Sequence, residues 1–292
     1  MIKLLVFSLV FLHTLPSFSQ ETEEAMKVNI GKYDSLLDSR YSLFPHKGTY
    51  LMPFVYNNLT HEGIYSEYKK VEENDGRLYK NTEAEFQISF LIPIYRRIAK
   101  TNWDLVFAYT HHSWWQVYNS SWSRPFRETN YNPELFMRKV DPNLRKFLSF
   151  DLIALDLGYA HQSNGQIQVL SRSWDRLFAR GFFQSKWISF GVTGWYRLPE
   201  KRDQDDNRDI YNYMGLGELE LIKSVGPHSF KAKMPLLSHH MGLDLKYTYP
   251  WRDQLRWFLS YQSGYGQSLI EYNRPTQRIG VGITLEDLFD NR

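Results

Sequence analysis

Long segments in which apolar and polar residues alternate dominate this chain of 292 residues. Alternation with a period of two residues is typical of strands that bury one face. Many of the segments are long: soluble strands average about five or six residues, whereas membrane-spanning strands need about nine to eleven. We count twelve segments, at residues 49–57, 83–96, 102–116, 130–141, 147–161, 171–184, 186–197, 209–224, 227–237, 239–249, 254–270 and 276–289.

An even number of long strands, with Trp and Tyr near their ends, predicts an all-β fold. The architecture that this pattern favours is a twelve-stranded antiparallel transmembrane β-barrel. A large secreted β-sandwich is the alternative that the pattern alone leaves open, because each barrel strand is a weak indication by itself.

Residues 172–180 favour the barrel. One face of this segment carries three arginines, Arg172, Arg176 and Arg180. An arginine at mid-depth in lipid costs about 2–4 kcal/mol, so these side chains cannot point at the membrane. We therefore expect them inside the barrel, paired with acids such as Asp156 or Glu218. The opposite face, which includes Asp175, then points outward.

The start of the chain predicts export. Residues 1–19 combine a positive charge, a short apolar block and small residues before a cleavage position, in the order of a secretory signal peptide. No later segment has the run of about twenty apolar residues that a spanning helix needs. We divide the chain into a signal peptide at 1–19, a periplasmic or plug-like N-terminal segment at 20–48, a β-barrel domain at 49–289 and a C-terminal tail at 290–292.

Composition excludes several kinds of site. The sequence has no cysteine, which excludes a disulfide scaffold, a thiol nucleophile and a thiolate metal site. Its net charge is +3, from 35 Lys and Arg against 32 Asp and Glu. No basic run stands out, so we expect no nucleic-acid partner.

A histidine and a serine lie two residues apart at the end of one predicted strand. The alternation places Ile153, Leu155, Leu157 and Tyr159 on the lipid face, and His161 and Ser163 continue that face. The next strand brings Asp175 outward, about opposite His161. This is the composition of a nucleophilic site: Ser163 would attack, His161 would take its proton, and Asp175 would fix the imidazole tautomer. Outward polar residues at a membrane boundary are costly without a purpose, and a lipid is the substrate such a surface meets.

Several blocks of the sequence resemble outer membrane phospholipase A. They follow one another in order between residues 49 and 289, at 113–116, 125–131, 158–165, 171–176, 213–215, 263–272 and 281–289. The resemblance implies a barrel in the bacterial outer membrane with an external serine-hydrolase site, active as a calcium-dependent homodimer. It implies that Ser163 is the nucleophile and His161 the base. The third member is usually Asn in this family, whereas this sequence has Asp175, for which we expect the same role.

The resemblance also implies a calcium site shared across the dimer. The backbone carbonyls of Gln166 and Ser171 of one subunit and the hydroxyl of Ser123 of the other would bind Ca²⁺, and such oxygen ligands suit a hard cation. Gln166 replaces the family's usual Arg, which leaves a carbonyl ligand unchanged. A calcium-bound water and the Gly165 N–H would form the oxyanion hole.

The resemblance also concerns a second metal position and a position in the dimer interface. The family's weaker, second metal position uses two acids; one matches Asp206, but the other is Gln168 here, so the sequence does not support that site. A glutamine of the family's dimer interface is replaced by His111. His111 shares its face with Phe107 and Tyr109, so we expect it to point outward; an interfacial histidine near lipid headgroups is the alternative role.

We therefore predict a calcium-dependent outer-membrane phospholipase that is activated by dimerisation. It would be a phospholipase A1/A2-type carboxylic ester hydrolase, acting on the fatty acyl esters of phospholipids and lysophospholipids. Two alternatives stay open: a non-enzymatic barrel or pore, against which a lumen crowded with side chains argues, and a barrel deacylase of another lipid, such as lipid A.

Overall fold

The computed structural model describes residues 43–58, 79–147, 149–185, 187–252 and 255–285. These residues form a single antiparallel sheet of thirteen strands. The strands are β1 (Phe44–Pro45), β2 (Tyr50–Asn57), β3 (Thr82–Tyr95), β4 (Trp103–Trp115), β5 (Phe126–Phe147), β6 (Phe150–Ser163), β7 (Ser173–Gln184), β8 (Ser189–Arg197), β9 (Gly217–Val225), β10 (His228–Leu236), β11 (Gly242–Arg252), β12 (Leu255–Gly264) and β13 (Thr276–Leu285). A short helix, α1 (Tyr211–Met214), and three 3₁₀ turns, Ile98–Lys100, Ser120–Trp122 and Gln168–Leu170, lie between strands.

Twelve of the strands close into a barrel. Each strand from β2 to β13 pairs with its neighbour in sequence, and β13 pairs back with β2. The short β1 pairs with β3 alone. Closure leaves no barrel strand with an unpaired edge, as a sheet in lipid requires. The predicted twelve-stranded barrel is confirmed. No helix in the described part of the chain is long and apolar enough to cross a membrane.

The connections differ in length between the two ends of the barrel. Short turns join β7 to β8 and β9 to β10, at residues 185–188 and 226–227. The opposite end carries long loops, at residues 164–172, 198–216 and 265–275. Outer-membrane barrels have short periplasmic turns and long external loops. The long-loop end therefore faces outward from the cell, and the catalytic candidates at the end of β6 lie there.

Two of the predicted strands extended well into the external loops. The predicted strand at 209–224 begins only at Gly217, because residues 211–214 form α1 and Ile210 is buried in a cluster with Leu269 and Tyr272. The predicted strand at 254–270 ends at Gly264, which has a φ of 96°. In both places the apolar residues pack within the loops at the mouth of the barrel, where they cover its outer end.

Two of the three predicted arginines, Arg176 and Arg180, face the lumen, whereas Arg172 lies in the external loop before β7 and donates to the Val169 and Ser171 carbonyls. Arg176 and Arg180 are buried, and Arg180 lies 3.3 Å from Asp156. Arg138 makes a further ion pair with Asp156, at 2.7 Å. Glu218, the other predicted acid, contacts Lys233 at 3.4 Å and interacts with Arg176 through its charge, without a direct hydrogen bond to it. Paired charges therefore fill this part of the interior.

The described end of the predicted N-terminal segment enters the barrel. The His46 ring lies 3.0 Å from Glu134 on the lumen face of β5, and Lys47 contacts Glu134 and Asn132. The side chains of His46 and Lys47 thus help to fill the lumen. The predicted signal peptide, residues 20–42 and the tail at 290–292 lie outside the described residues, and the domain boundaries stay predictions.

Candidate active site

Strands β6 and β7 bring the three candidate side chains to one surface. In the β6–β7 register His161 is directly opposite Asp175, and Ser163 is opposite Ser173. Directly opposite residues point to the same face of a sheet. The alternation along β6 puts Tyr159, His161 and Ser163 on the outer wall, where Leu157 and Tyr159 are exposed.

Near the first residues of β6, the simple alternation of inward and outward side chains is interrupted. The register shifts between Leu152 and Ala154, where a β-bulge adds one residue. A bulge turns the following side chains to the other face. Ile153 is therefore buried, with 5% exposure, and lines the lumen cavity. The expectation that Ile153 faces lipid was wrong, whereas it holds for Leu157 and Tyr159.

The His161 ring is held by a carboxylate. Its Nδ1 lies 2.8 Å from Asp175 Oδ1, and the two side chains are 37% and 31% exposed. The Tyr159 hydroxyl donates to the same Asp175 oxygen at 2.5 Å. With Nδ1 protonated, Nε2 is left as the basic nitrogen, which is the arrangement a general base needs.

The Tyr159 hydroxyl was missed in the sequence analysis, which treated this residue as a lipid contact. One feature could have identified it. Tyr159 is the hydroxyl-bearing residue next to His161 in an outward row that is otherwise aliphatic. A tyrosine hydroxyl in such an apolar row usually has a hydrogen-bond partner.

Ser163 lies beside the dyad, one step closer to the external loop. Its neighbours across the strands are Tyr131 on β5 and Ser173 on β7. Within the described residues no hydrogen bond joins the Ser163 hydroxyl to His161 Nε2. Such contacts are often loose in ligand-free sites and tighten when substrate binds.

A buried asparagine shapes the loop that follows Ser163. The Asn164 side-chain amide donates to the Leu170 carbonyl at 2.8 Å, and its oxygen accepts the N–H groups of Gln166 and Arg172 at 3.2 and 2.9 Å. Asn164 is 2% exposed. One side chain thus fixes both ends of the loop at 164–172, a role that the sequence analysis did not assign.

Gly165 follows in a left-handed conformation, with a φ of 64°. A Cβ at this position would lie 3.0 Å from the Tyr131 ring. Backbone conformation and close packing therefore both favour glycine here. The Gly165 N–H belongs to the turn directly after the Ser163–Asn164 pair.

The proposed metal ligands have oxygen donors that suit a hard cation. The Ser171 carbonyl accepts a hydrogen bond from Arg172 Nη1 at 2.5 Å, so it already points toward a positive charge. The Ser171 hydroxyl donates to Asp206 Oδ2 at 2.5 Å, which brings a carboxylate beside the loop. No group of three or more His, Asp or Glu side chains that could hold a metal occurs among the residues described. Backbone carbonyls and hydroxyls are thus the donors this loop offers, and they fit Ca²⁺.

Ser123 is the third predicted calcium ligand, and Gln168 occupies the position of the missing second acid. Ser123 ends the 3₁₀ turn Ser120–Trp122 in an exposed external loop, and in the described structure it makes no hydrogen bond to Gln166 or Ser171. One chain therefore does not assemble all three ligands. Gln168 is exposed and has a φ of 53°.

His111 lies on the outer wall, on the face predicted for it. Its ring is stacked on Phe86 at a centroid distance of 5.9 Å and meets Tyr131 edge-on at 5.2 Å. Its Nε2 lies 2.9 Å from the Ser113 hydroxyl. Since His111 is opposite Tyr131 and Tyr131 is opposite Ser163, these side chains form a row across three strands.

Comparison with known proteins agrees with this arrangement. Residues 28–285 match the model of the family described as Phospholipase A1. The chain belongs to the phospholipase A1 family. Phospholipase A1 of Escherichia coli K12 is 36% identical to it over 255 residues, which are 86% of this chain and 84% of the relative.

Solved structures of this family share the fold. The outer membrane phospholipase A from Escherichia coli superposes with a TM-score of 0.80 at 33% identity, covering 88% of this chain and 97% of that one. The outer membrane phospholipase of Salmonella typhi, solved as a dimer with bound calcium, gives 0.79 at 32% identity, with the same coverage. This member of the phospholipase A1 family is thus an outer-membrane β-barrel enzyme, a phospholipase that hydrolyses carboxylic esters.

Proposed function

We propose that this phospholipase cleaves the fatty acyl esters of phospholipids and lysophospholipids through Ser163, His161 and Asp175 on its outer wall. The observation that carries the proposal is the His161–Asp175 hydrogen bond on the lipid-facing surface, at 2.8 Å. Ser163 lies two residues from His161 on the same face. A substrate that reaches this surface arrives from the membrane, and its ester groups lie near the headgroup level where β6 ends.

The reaction proceeds by acyl transfer. Ser163 Oγ attacks the ester carbonyl while His161 Nε2 takes the hydroxyl proton. Asp175 holds Nδ1–H and stabilises the imidazolium. The carbonyl–oxygen bond of the glycerol ester then breaks, and His161 returns its proton to the departing alcohol. Water attacks the acyl-enzyme with His161 again as base, which releases the fatty acid and restores Ser163.

The loop after Ser163 stabilises the charge that develops on the carbonyl oxygen. The Gly165 N–H is the donor that the chain itself supplies, and its left-handed conformation fixes the direction of that donor. Asn164 keeps the loop in place through its contacts with Gln166, Leu170 and Arg172. Preorganised donors of this kind are worth about 2.7–4 kcal/mol in related chemistry.

We infer that Ca²⁺ binds between two copies of the chain. The Gln166 and Ser171 carbonyls of one copy and the Ser123 hydroxyl of the other would hold it, in keeping with the calcium-bound dimer of the Salmonella typhi relative. An ion held by these oxygens would supply positive charge for the oxyanion. Arg172 donates to one side of the Ser171 carbonyl, and a carbonyl oxygen has a second lone pair for the ion.

A second metal ion is not part of the proposal. Asp206, the acid that matches the family's weaker site, accepts the Ser171 hydroxyl at 2.5 Å. Its expected partner position holds Gln168, which is not an acid. In this chain Asp206 instead tethers Ser171, whose carbonyl would be a ligand of the first ion.

Product analysis tests the substrate class. The purified protein is incubated in mixed micelles with a diacyl phospholipid, a lysophospholipid and lipid A, and the products are identified by mass spectrometry. Free fatty acid from both phospholipids, lost in His161→Ala, is the expected result. Acyl release from lipid A alone would contradict the proposal and favour a different deacylase.

A further inference from the structure

An apolar groove of about 540 Å³ lies on the outer barrel wall next to the candidate site. It runs along β7 between β6 and β8. Its walls and floor are outward side chains of these three strands: Leu155, Leu177, Ala179, Val192, Gly194 and Tyr196. This surface faces lipid, so the groove is open to an acyl chain rather than to water.

The groove exists because the outward residues Ala179 and Gly194 are small, whereas the outward residues next to them on the same strands are large. Ala179 on β7 is directly opposite Gly194 on β8. A Cβ added at Gly194 would meet no atom within 4 Å, so nothing fills the space above it. Leu177 and Tyr196, one step along the same two strands, are both exposed and stand above this floor.

The groove continues directly from the catalytic candidates. Leu177 is two residues from Asp175 on the same face of β7, and it is opposite Tyr159, whose hydroxyl binds Asp175. From Asp175 to Gly181 the strand advances about 20 Å, which at the usual barrel tilt is about 15 Å of depth. The hydrocarbon core of a bilayer is about 30 Å thick, so one leaflet also accounts for about 15 Å of depth. The groove thus descends through the leaflet in which the site lies.

The surface on the other side of Ser163 is filled. The Tyr131 ring packs under Gly165, and the His111 and Phe86 rings continue the aromatic layer across β4 and β3. Among the described residues of this wall, open apolar space next to the site therefore lies on the Asp175 side. It is displaced from Ser163 by one to two strands, about 5–10 Å.

We propose that this groove binds the second acyl chain of a diacyl phospholipid, the chain whose ester is not being cleaved. The inference rests on the proposed function of Ser163. The chain on the reacting carbonyl must start at Ser163, whereas a chain in the groove passes beside Asp175 and descends between Leu177 and Tyr196. The two acyl chains attached to one glycerol run side by side. This arrangement agrees with a groove that lies one to two strands away from Ser163. Ala179 and Gly194 would then determine how well the enzyme accepts substrates with two chains.

Filling the groove tests the proposal. Gly194→Leu places a side chain in open space, and Ala179→Leu fills the floor from the opposite strand. The matched control is Ala232→Leu, which fills a separate lipid-facing hollow of the outer wall bordered by Phe230 and Leu245. Hydrolysis of a diacyl phospholipid and of a one-chain lysophospholipid is measured for each variant in detergent micelles.

We expect each groove variant to lower the diacyl rate about tenfold and to keep the lysophospholipid rate within about twofold, since a misfit of even one methylene in a hydrophobic pocket lowers the rate about tenfold or more. The control should change neither rate. Equal loss on both substrates would place the cleaved chain in the groove, and unchanged rates on both would leave the groove without a role; either result overturns the proposal. Failure of the catalytic assignment is distinct, because wild-type protein would then lack Ser163-dependent hydrolysis of both substrates.

Discussion

His161 Nδ1 lies 2.8 Å from Asp175 Oδ1 across two adjacent strands of the outer barrel wall. The strand register makes the two residues directly opposite, so the backbone ladder itself sets their distance. A rigid sheet positions side chains more accurately than a loop would. The same register puts Ser163 on this face, next to the external loop that offers the Gly165 N–H.

In the proposed mechanism, the Asp175 carboxylate acts mainly by holding the His161 imidazole in position. We predict that Asp175→Asn keeps activity within about tenfold of wild type, because its side-chain oxygen still accepts from Nδ1 and from Tyr159. Asp175→Ala, which removes the acceptor, should lose more. Initial rates of phospholipid hydrolysis compare the two variants. A collapse of Asp175→Asn to the level of Asp175→Ala would show that the charge itself is required.

The Tyr159 hydroxyl donates to Asp175, and we expect this hydrogen bond to position the carboxylate. Tyr159→Phe should lower kcat roughly tenfold with little change in KM, since a hydrogen bond to a charged group contributes about 1.5 kcal/mol. Tyr261→Phe is the matched control, because Tyr261 is also a partly exposed, outward tyrosine and lies on β12. If both variants behave alike, the contact with Asp175 has no part in catalysis.

The proposed calcium ligands in the loop at 164–172 predict that activity depends on Ca²⁺. EDTA should suppress phospholipid hydrolysis, and added Ca²⁺ should restore it, because the oxyanion would lose a source of positive charge. Thermal unfolding of the barrel, followed by circular dichroism with and without EDTA, is the control for folding. Unchanged turnover in EDTA would remove the metal from the mechanism.

The proposed calcium site, shared between two copies of the chain, predicts complementation between variants of low activity. Ser163→Ala and Ser123→Ala should each be weakly active alone. In a mixed dimer, the Ser123→Ala copy keeps its own Ser163 and receives an intact Ser123 from its partner, so one site is complete. Mixing the two variants should therefore raise hydrolysis above either one. No gain from mixing, with dimers verified by cross-linking, would argue that Ser123 does not act across the interface.

Alternation of residue type predicted most of the barrel, because one face of each strand must contact lipid. It failed where apolar residues serve another purpose. Ile210, Leu269 and Ile270 are as apolar as strand residues, but they pack in clusters at the external end. Gly264 and Gly266, with φ values of 96° and 76°, turn the chain there. The period of a short segment cannot distinguish these uses.

Part of the candidate site could also be predicted from the pattern of residues along the strands. His161, Ser163 and Asp175 follow from strand phase and hairpin length, which are local quantities. The contact of Ser171 with Asp206 joins residues 35 positions apart in two different loops, and no local pattern encodes it. The three backbone contacts of Asn164 likewise depend on the folded shape of its loop.

The most direct test of the account compares two serines that face each other across β6 and β7. Phospholipid hydrolysis is measured for wild type, Ser163→Ala and Ser173→Ala, each with and without Ca²⁺, after folding of each barrel has been verified by circular dichroism. We predict that Ser163→Ala loses at least about 1,000-fold while Ser173→Ala keeps calcium-dependent activity. Near-normal hydrolysis by a folded Ser163→Ala barrel would contradict the assignment of the nucleophile.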